Sequence, residues 1–409
     1  MQGIRVLDLT WVLGGPFAGQ TLAQMGAEVI KVEPVDGDGV RRIGSDESFH
    51  GDSGFFLSVN RGKSSVALNI KDPSGLQVLY DLVRESDAII YGFAPDVPAR
   101  LKIDAASLHA VNPKIAVAQL IGLHDQPPYA NAPSYDLVTQ ALGGVMGITG
   151  EEGGGPVRVG YQIADLAGGL YLALACSGAV IRALKSGIGS VAQISLLDCQ
   201  LALLTWQAQN YFVSGREPTR LGARHPIIAP NDIYPCADGR FLAISPTGEN
   251  FWRAMCQAIG RVDLIDDARF QTLELRVKNV AALTCILKEV FAHAPVDEWV
   301  QRLFDARVAA GAVNSVSDAV NQPLAKLREM VDKVPHPSTG EELRFLGNPF
   351  KYKGSQCLSY PPALGAHTRS VLGRICNYSD DRIDALVDSG VIVATPREKP
   401  IPMSTHPSA

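Results

Sequence analysis

Asp165 stands at the head of a long apolar run, in Gln162-Ile163-Ala164-Asp165-Leu166-Ala167-Gly168-Gly169. An aspartate at a helix start has two readings. It caps the helix by accepting from orphan backbone amides, or it is a carboxylate nucleophile flanked by small residues that leave room for a substrate. The residue by itself leaves both open. Upstream, Gly14-Gly15-Pro16-Phe17-Ala18-Gly19 lies between a strand-like and a helix-like stretch, where backbone N–H groups could face an anion. Its glycines do not have the G-x-G-x-x-G spacing, so a nicotinamide dinucleotide is not expected even though Glu33 closes the next strand. Ser134-Tyr135-Asp136 precedes a glycine-rich stretch at 143–155, which reads as a flexible loop more than a phosphate cradle. Arg41, Arg42, Arg61, Lys63, Arg100 and Lys102 fall near strand ends, where α/β sheets bind ligands, although most such charges are simply solvated. Neither H-E-x-x-H nor G-x-S-x-G occurs, which leaves zinc-protease and serine-hydrolase chemistry without support.

The elements that must position these residues follow from hydrophobic pattern and breakers. Residues 4–9 are β-rich, the 14–16 Gly-Gly-Pro breaks them, 17–25 suit a helix, and 28–32 are β-rich again. A second βαβ unit follows, with strands at 65–70 and 88–91 around a helix at 75–85, introduced by an Asp72-Pro73 cap. Further strands are expected at 115–121 and 191–196. The order implies an α/β fold with a mostly parallel sheet covered by helices on both faces. Residues 166–181 read as a buried helix, being shorter than the ~20 apolar residues of a bilayer span, so no membrane is expected as a partner. A helix at 198–211 and a connector at 218–230 lead to a hairpin around Asp238-Gly239. Helices then dominate to about residue 307. The chain is therefore divided into a large α/β domain, 1–217 with 336–409, and a small α+β domain, 218–335. A helix at 379–388 interrupts the polar tail.

Composition narrows the function. Of 409 residues, 46% are hydrophobic and 19% charged, which describes a globular chain with volume for a core. With 37 basic against 42 acidic residues the net charge is −5, so nucleic acid is not an expected partner. The seven cysteines form no CxxC pair, so no metal is expected, and their odd count without an apolar leader suggests reduced thiols in a cytoplasmic or organelle-matrix protein.

Taken in order, several segments resemble the class III CoA-transferases, which include the formyl-CoA and carnitine CoA-transferases. They are Gly3-Ile4-Arg5-Val6-Leu7-Asp8-Leu9-Thr10, Gly15-Pro16-Phe17-Ala18-Gly19, Leu22 through Glu33, Asn60-Arg61-Gly62-Lys63, Tyr135-Asp136 with Gln140-Ala141, Asp165, and Tyr234-Pro235-Cys236-Ala237-Asp238-Gly239. The resemblance implies a large Rossmann-like domain built from both chain ends, a small domain between linkers, and an interlocked homodimer. It places Asp165 at the catalytic aspartate, and Val12, Arg41, Lys63, Phe93, Arg100 and Tyr135 where the family contacts coenzyme A. Gly92 departs from the asparagine that formyl-CoA transferase carries there. The implied substrates are an acyl-CoA and a carboxylic acid, with no tightly bound cofactor, and Asp165 passes through mixed-anhydride and aspartyl-CoA thioester intermediates. The glycine-rich stretch from Gly143 and Gly144 is then a candidate mobile lid.

Three alternatives are weighed against this. An α-methylacyl-CoA racemase carries His-Asp where this chain has Tyr135-Asp136, and without that imidazole a two-base proton exchange is hard to assemble. A silent CoA-binding protein would not need Asp165. Intramolecular CoA migration within one dicarboxylic acid uses the same chemistry. For the acyl group, Leu13 replaces a glutamine of formyl-CoA transferase, and Arg224-His225-Pro226-Ile227-Ile228 stands in the region of its poly-glycine loop, which disfavours oxalate. Arg220, Arg224 and His225 could pair with a second carboxylate or could brace the linker. A C4 or C5 dicarboxylic acid with a succinyl-CoA donor is the expected pair.

Overall fold

The structure, a computed structural model, describes residues 1–47, 51–130, 132–352 and 357–396. They form two compact units: Met1–Gly144, Gly160–Thr205 and the chain from Glu329 make the first, and Val145–Val159 with Trp206–Arg328 make the second. Residues 397–409, assigned by sequence to the large domain, lie outside the described residues.

In the first unit six strands run parallel: β1 (Arg5–Leu9), β2 (Glu28–Glu33), β3 (Lys63–Leu68), β4 (Ala88–Tyr91), β5 (Ala116–Ile121) and β6 (Val191–Ser195). Their order is β3-β2-β1-β4-β5-β6, and Ile392–Val393 adds an antiparallel edge beside β3. The central strands are buried on both faces, so β1 and β4 read as largely apolar runs, whereas the edge strand β6 is partly exposed. Leu7, Leu9, Ile30, Val66 and Ile89 face one core, while Val6, Val29, Ala88, Ile90 and Ala118 face the other. This is the period-two alternation of a strand.

Six helices position the site: α1 (Gly14–Gln24), α2 (Pro73–Arg84), α3 (Ala105–Val111), α4 (Asp136–Leu142), α5 (Ile163–Ser186) and α6 (Leu196–Leu203). The Asp72 side chain accepts from the Ser74 amide with proline following, which starts α2 as expected. Gly14-Gly15-Pro16 does not break the chain but forms the first turn of α1. Proline is tolerated there because a first-turn N–H has no intrahelical partner. The glycines are needed because α1 and α5 almost touch: a Cβ on Gly14 would lie 2.7 Å from the Asp165 carbonyl oxygen, and one on Gly169 2.4 Å from that of Gly14.

Helix α5 is not wholly buried. Its Leu172, Cys176 and Val180 face the core, whereas Leu174 is 65% exposed and Leu184 66%. At 24 residues it is the one helix among the described residues long and apolar enough to cross a membrane, but half of its most apolar stretch lies inside the fold.

The expected helix at 198–211 is two, α6 and Thr205–Ser214, because Thr205 takes a left-handed backbone (φ +43°) and the chain leaves the first unit there. The second unit thus begins at Trp206, before the boundary of 218, and also takes in Val145–Val159. It holds three antiparallel strands, β7 (Asp232–Pro235), β8 (Phe241–Ile244) and β9 (Ala310–Ala312), with helices packed on Trp252, Phe270, Phe291 and Trp299. The tail from Glu329 belongs to the first unit and carries the hairpin Val331–Pro335 with Glu342–Leu346, the helix Asp380–Asp388 capped by Ser379, and a further helix, Thr368–Cys376.

Gly169→Ala should push α5 from α1 and lower the stability of the first unit by about 1–3 kcal/mol. Gly168→Ala meets only the movable end of Leu196, so a smaller loss is expected. Guanidinium denaturation midpoints compare the two.

Candidate active site

In this strand order the connections diverge between β1 and β4, and such a switch point opens a crevice at the carboxyl ends of the strands. The loop after β1 carries Trp11, Val12 and Leu13, and the one after β4 carries Phe93; the Trp11 and Phe93 rings meet edge to face, 6.3 Å apart. A cavity of about 940 Å³ opens along this edge, lined by Trp11, Glu33, Asp36, Lys71, Phe93 and Arg100. A second, of about 400 Å³, shares Phe93 and is walled by β5 residues, Tyr129 and Tyr135.

Asp165 lines neither cavity but adjoins the loop after β1, which carries Trp11, and the turn Tyr135-Asp136. It sits in the first turn of α5, whose cap position is Gln162, so Asp165 is not the N-cap that its place in the sequence suggests. Its backbone abuts Gly14, next to Leu13. On the other side, Asp136 accepts from the Ala164 amide (2.9 Å) through one oxygen and from Gln140 Nε2 (2.7 Å) through the other, which ties α4 to the start of α5. The Asp165 carboxylate is half-buried and accepts no hydrogen bond among the described residues. Burial, together with the charge of Asp136, pushes its pKa up to about 6.

The other sequence-derived residues divide. Val12, Leu13, Phe93, Arg100 and Tyr135 belong with this edge of the first unit; Tyr135 is 72% exposed, and Arg100 reaches only the exposed Asp96, at 3.6 Å. Lys63 is a correction. Its ammonium is wholly buried and bound by Asp8 (2.7 Å), the Pro16 carbonyl (2.8 Å) and Asn60 (2.9 Å), which spends all three of its donors inside the fold. Burial pulls its pKa down to about 8 against the pull of Asp8. Arg41 is largely committed as well, with a two-pronged bond to Glu33 (2.7 and 2.8 Å), a bond to the Pro362 carbonyl and the Phe56 ring beneath it. Arg61 is likewise buried in ties to Asp332, Leu346 and Leu358.

Gly143 closes α4 with its Cα against Gln200, and Gly144 has φ +82°. The stretch beyond them is not a free loop. Val145–Ile148 is helical, Arg220 donates to the Gly147 and Gly154 carbonyls, the Gly222 amide to that of Gly150, and Arg224 to Glu152 (2.8 Å). Arg224 is therefore engaged within the second unit, and His225 stacks on Trp206 at 5.5 Å. These contacts match the bracing role rather than the carboxylate role.

Trp11, Lys71 and Asp136 are absent from the sequence-derived set. The strand end at Leu68 is the signal for Lys71, since cations just past parallel strands face the ligand edge.

The sequence model described as CoA-transferase family III matches residues 1–368. The succinyl-CoA:glutarate CoA-transferase of Mus musculus is 34% identical over 399 residues, covering 96% of this chain and 90% of that protein. The acetyl-CoA:oxalate CoA-transferase of Acetobacter aceti is 34% identical over 355 residues, 86% of this chain and 89% of that one. Among solved structures, a CAIB/BAIF family protein from Brucella suis is 32% identical, with a TM-score of 0.81 over 91% of this chain and 98% of that chain.

The Asp165 carboxyl should titrate near pH 6 by carbon-13 NMR of aspartate-labelled protein. Asp136→Asn, which removes the facing charge, should move the midpoint down toward the ordinary aspartate range of about 4.

Proposed function

The chain belongs to CoA-transferase family III and is a class III CoA-transferase, and from that premise we propose that it moves coenzyme A from succinyl-CoA to a C5 dicarboxylic acid, with Asp165 as the covalent relay. The observation that carries this reading is a half-buried carboxylate that has no hydrogen-bond donor among the described residues, next to the loop after β1 and the turn Tyr135-Asp136. A pKa near 6 leaves that carboxylate mostly ionised at neutral pH, while its poor solvation keeps it reactive.

An Asp165 oxygen attacks the thioester carbonyl, giving a succinyl-aspartyl anhydride and CoA thiolate. The thiolate attacks the Asp165 carbonyl, forming an aspartyl-CoA thioester and releasing succinate. The acceptor carboxylate displaces CoA from that thioester through a second anhydride. The thiolate then takes the acceptor's acyl group, and Asp165 returns as a carboxylate. CoA remains bound throughout. Trp11 and Phe93 offer apolar surface to its body, and Lys71 with Arg100 place two cations at the cavity, where phosphates would be received. Val12 and Tyr135 complete this contact set. Lys63 and Arg41 support it from within.

Glutarate is the acceptor we favour, supported by the mouse relative's name; the oxalate relative is equally similar over a shorter span. Racemase chemistry gains nothing here, because the Asp136 carboxylate is spent on Ala164 and Gln140. We also infer a homodimer: Leu170, Leu174, Ile181 and Leu184 form an exposed apolar stripe on α5 that a second copy would cover.

Intact-protein mass spectrometry after brief exposure to an acyl-CoA panel tests the relay. A hydroxylamine-sensitive adduct with succinyl-CoA, absent from Asp165→Ala, is expected. No adduct with any donor, with deuterium exchanging into an α-carbon, would contradict it. In initial rates, Lys71→Ala combined with Arg100→Ala should raise the acyl-CoA KM about a hundredfold or more, consistent with the loss of two charge-assisted bonds of about 1.5–3 kcal/mol each. Light scattering should give a dimer mass, and Leu174→Arg should reduce it.

A further inference from the structure

Val12 is a β-branched residue with φ +67°, a conformation such residues rarely adopt, on a loop exposed to solvent. Strain of this kind persists only where the surroundings impose it, and it clusters at ligand sites. Here the surroundings are a buried ion pair that the reaction does not use. Lys31 and Asp38 meet at 3.1 Å with 0% and 1% of their side chains exposed. The Lys31 ammonium also donates to the Thr10 carbonyl at 2.9 Å. The other Asp38 oxygen receives the Val12 amide at 3.5 Å, the outer limit of a hydrogen bond, and the Val40 amide at 3.2 Å. Thr10 is fixed from its other side, donating its amide to Asp8 at 3.0 Å.

A fully buried pair adds little net stability over apolar residues of the same shape. What this pair does have is direction: it joins β2 and the turn Gly39–Arg42 to the two residues that flank Trp11. We propose that Lys31 and Asp38 are positioning residues for coenzyme A, holding Val12 left-handed so that Trp11 and Val12 face the ligand cavity. This rests on the CoA contacts proposed above for that loop. Asp38 also sets the turn that bears Arg41, so one carboxylate aligns two segments of the crevice edge.

The test uses the full chain, with the Kd for coenzyme A from calorimetry beside kcat and KM. Lys31→Met with Asp38→Leu removes the pair without stranding a charge. The expected result is a cooperative fold, a Kd and acyl-CoA KM raised about tenfold, and kcat within about twofold. Adding Val12→Gly, which makes the left-handed conformation cheap, should recover at least about threefold of the lost affinity. Unchanged affinity in the double variant, or no recovery on adding glycine, would overturn the proposal. If the double variant fails to fold, Val12→Pro decides, since proline cannot reach φ +67° and the buried pair stays intact. It should weaken CoA binding by about tenfold, and wild-type affinity would overturn the inference. A wild-type chain that binds no coenzyme A would remove the premise of the contact set as well, a different failure from a variant that binds normally.

Discussion

The approach of α1 to α5 at Gly14 and Gly169 is the constraint on which the rest of the site depends. No side chain fits there, since a Cβ on either glycine would strike backbone within 2.7 Å. Because the two helices meet at their first turns, the loop after β1 is delivered directly against Asp165. Sheet topology brings the other wall, as β4 and β5 end beside the same crevice and Phe93 serves both cavities. A general parallel-sheet scaffold is thereby specialised by two positions that tolerate only glycine.

Charge is arranged in contrast around that contact. Within the sheet every ionic group is matched: Asp8 with Lys63, Asp38 with Lys31, Glu33 with Arg41. Burial raises the cost of charge at Asp8 and Glu33, yet their cationic partners hold both below the usual carboxylate range. Asp165 receives the opposite treatment, with no cation or donor on it among the described residues and a second carboxylate nearby. Unmatched, half-buried charge is costly unless something is to react with it. The basic residues that look like ligand contacts in a linear reading are mostly the ones that neutralise the scaffold, and the acid that looks like a cap is the one left unneutralised.

That contrast marks where the sequence is legible. Strands β1 and β4 stand out because a doubly buried strand is mostly apolar, and Asp72-Pro73 announces α2 through local capping. The edge-on role of Gly14-Gly15-Pro16 is not local, because it depends on a helix about 150 residues downstream in the chain, so the same residues read as a break. Lys63 is misread for the same reason: its partner Asp8 belongs to a strand separated from it by a full βαβ crossing. The division at Thr205 has no glycine or proline to signal it, and the helix Thr368–Cys376 is hidden by its polar face. Arg224 and His225 sit in a connector whose partners are a glycine-rich stretch and a tryptophan, pairings that spacing cannot reveal. Composition and periodicity leave Asp165 undecided between cap and nucleophile, and only the resemblance in ordered motifs singles it out.

The relay through Asp165 can be followed by its oxygen. The first anhydride passes one Asp165 oxygen to succinate and the second leaves one acceptor oxygen in its place, so turnover with glutarate labelled by oxygen-18 should make the Asp165 peptide heavier by about 2 Da for each carboxyl oxygen replaced. Label in that peptide, dependent on succinyl-CoA, is the result this account predicts. Label confined to substrates and products while turnover proceeds would show direct transfer without the aspartate, and would contradict it.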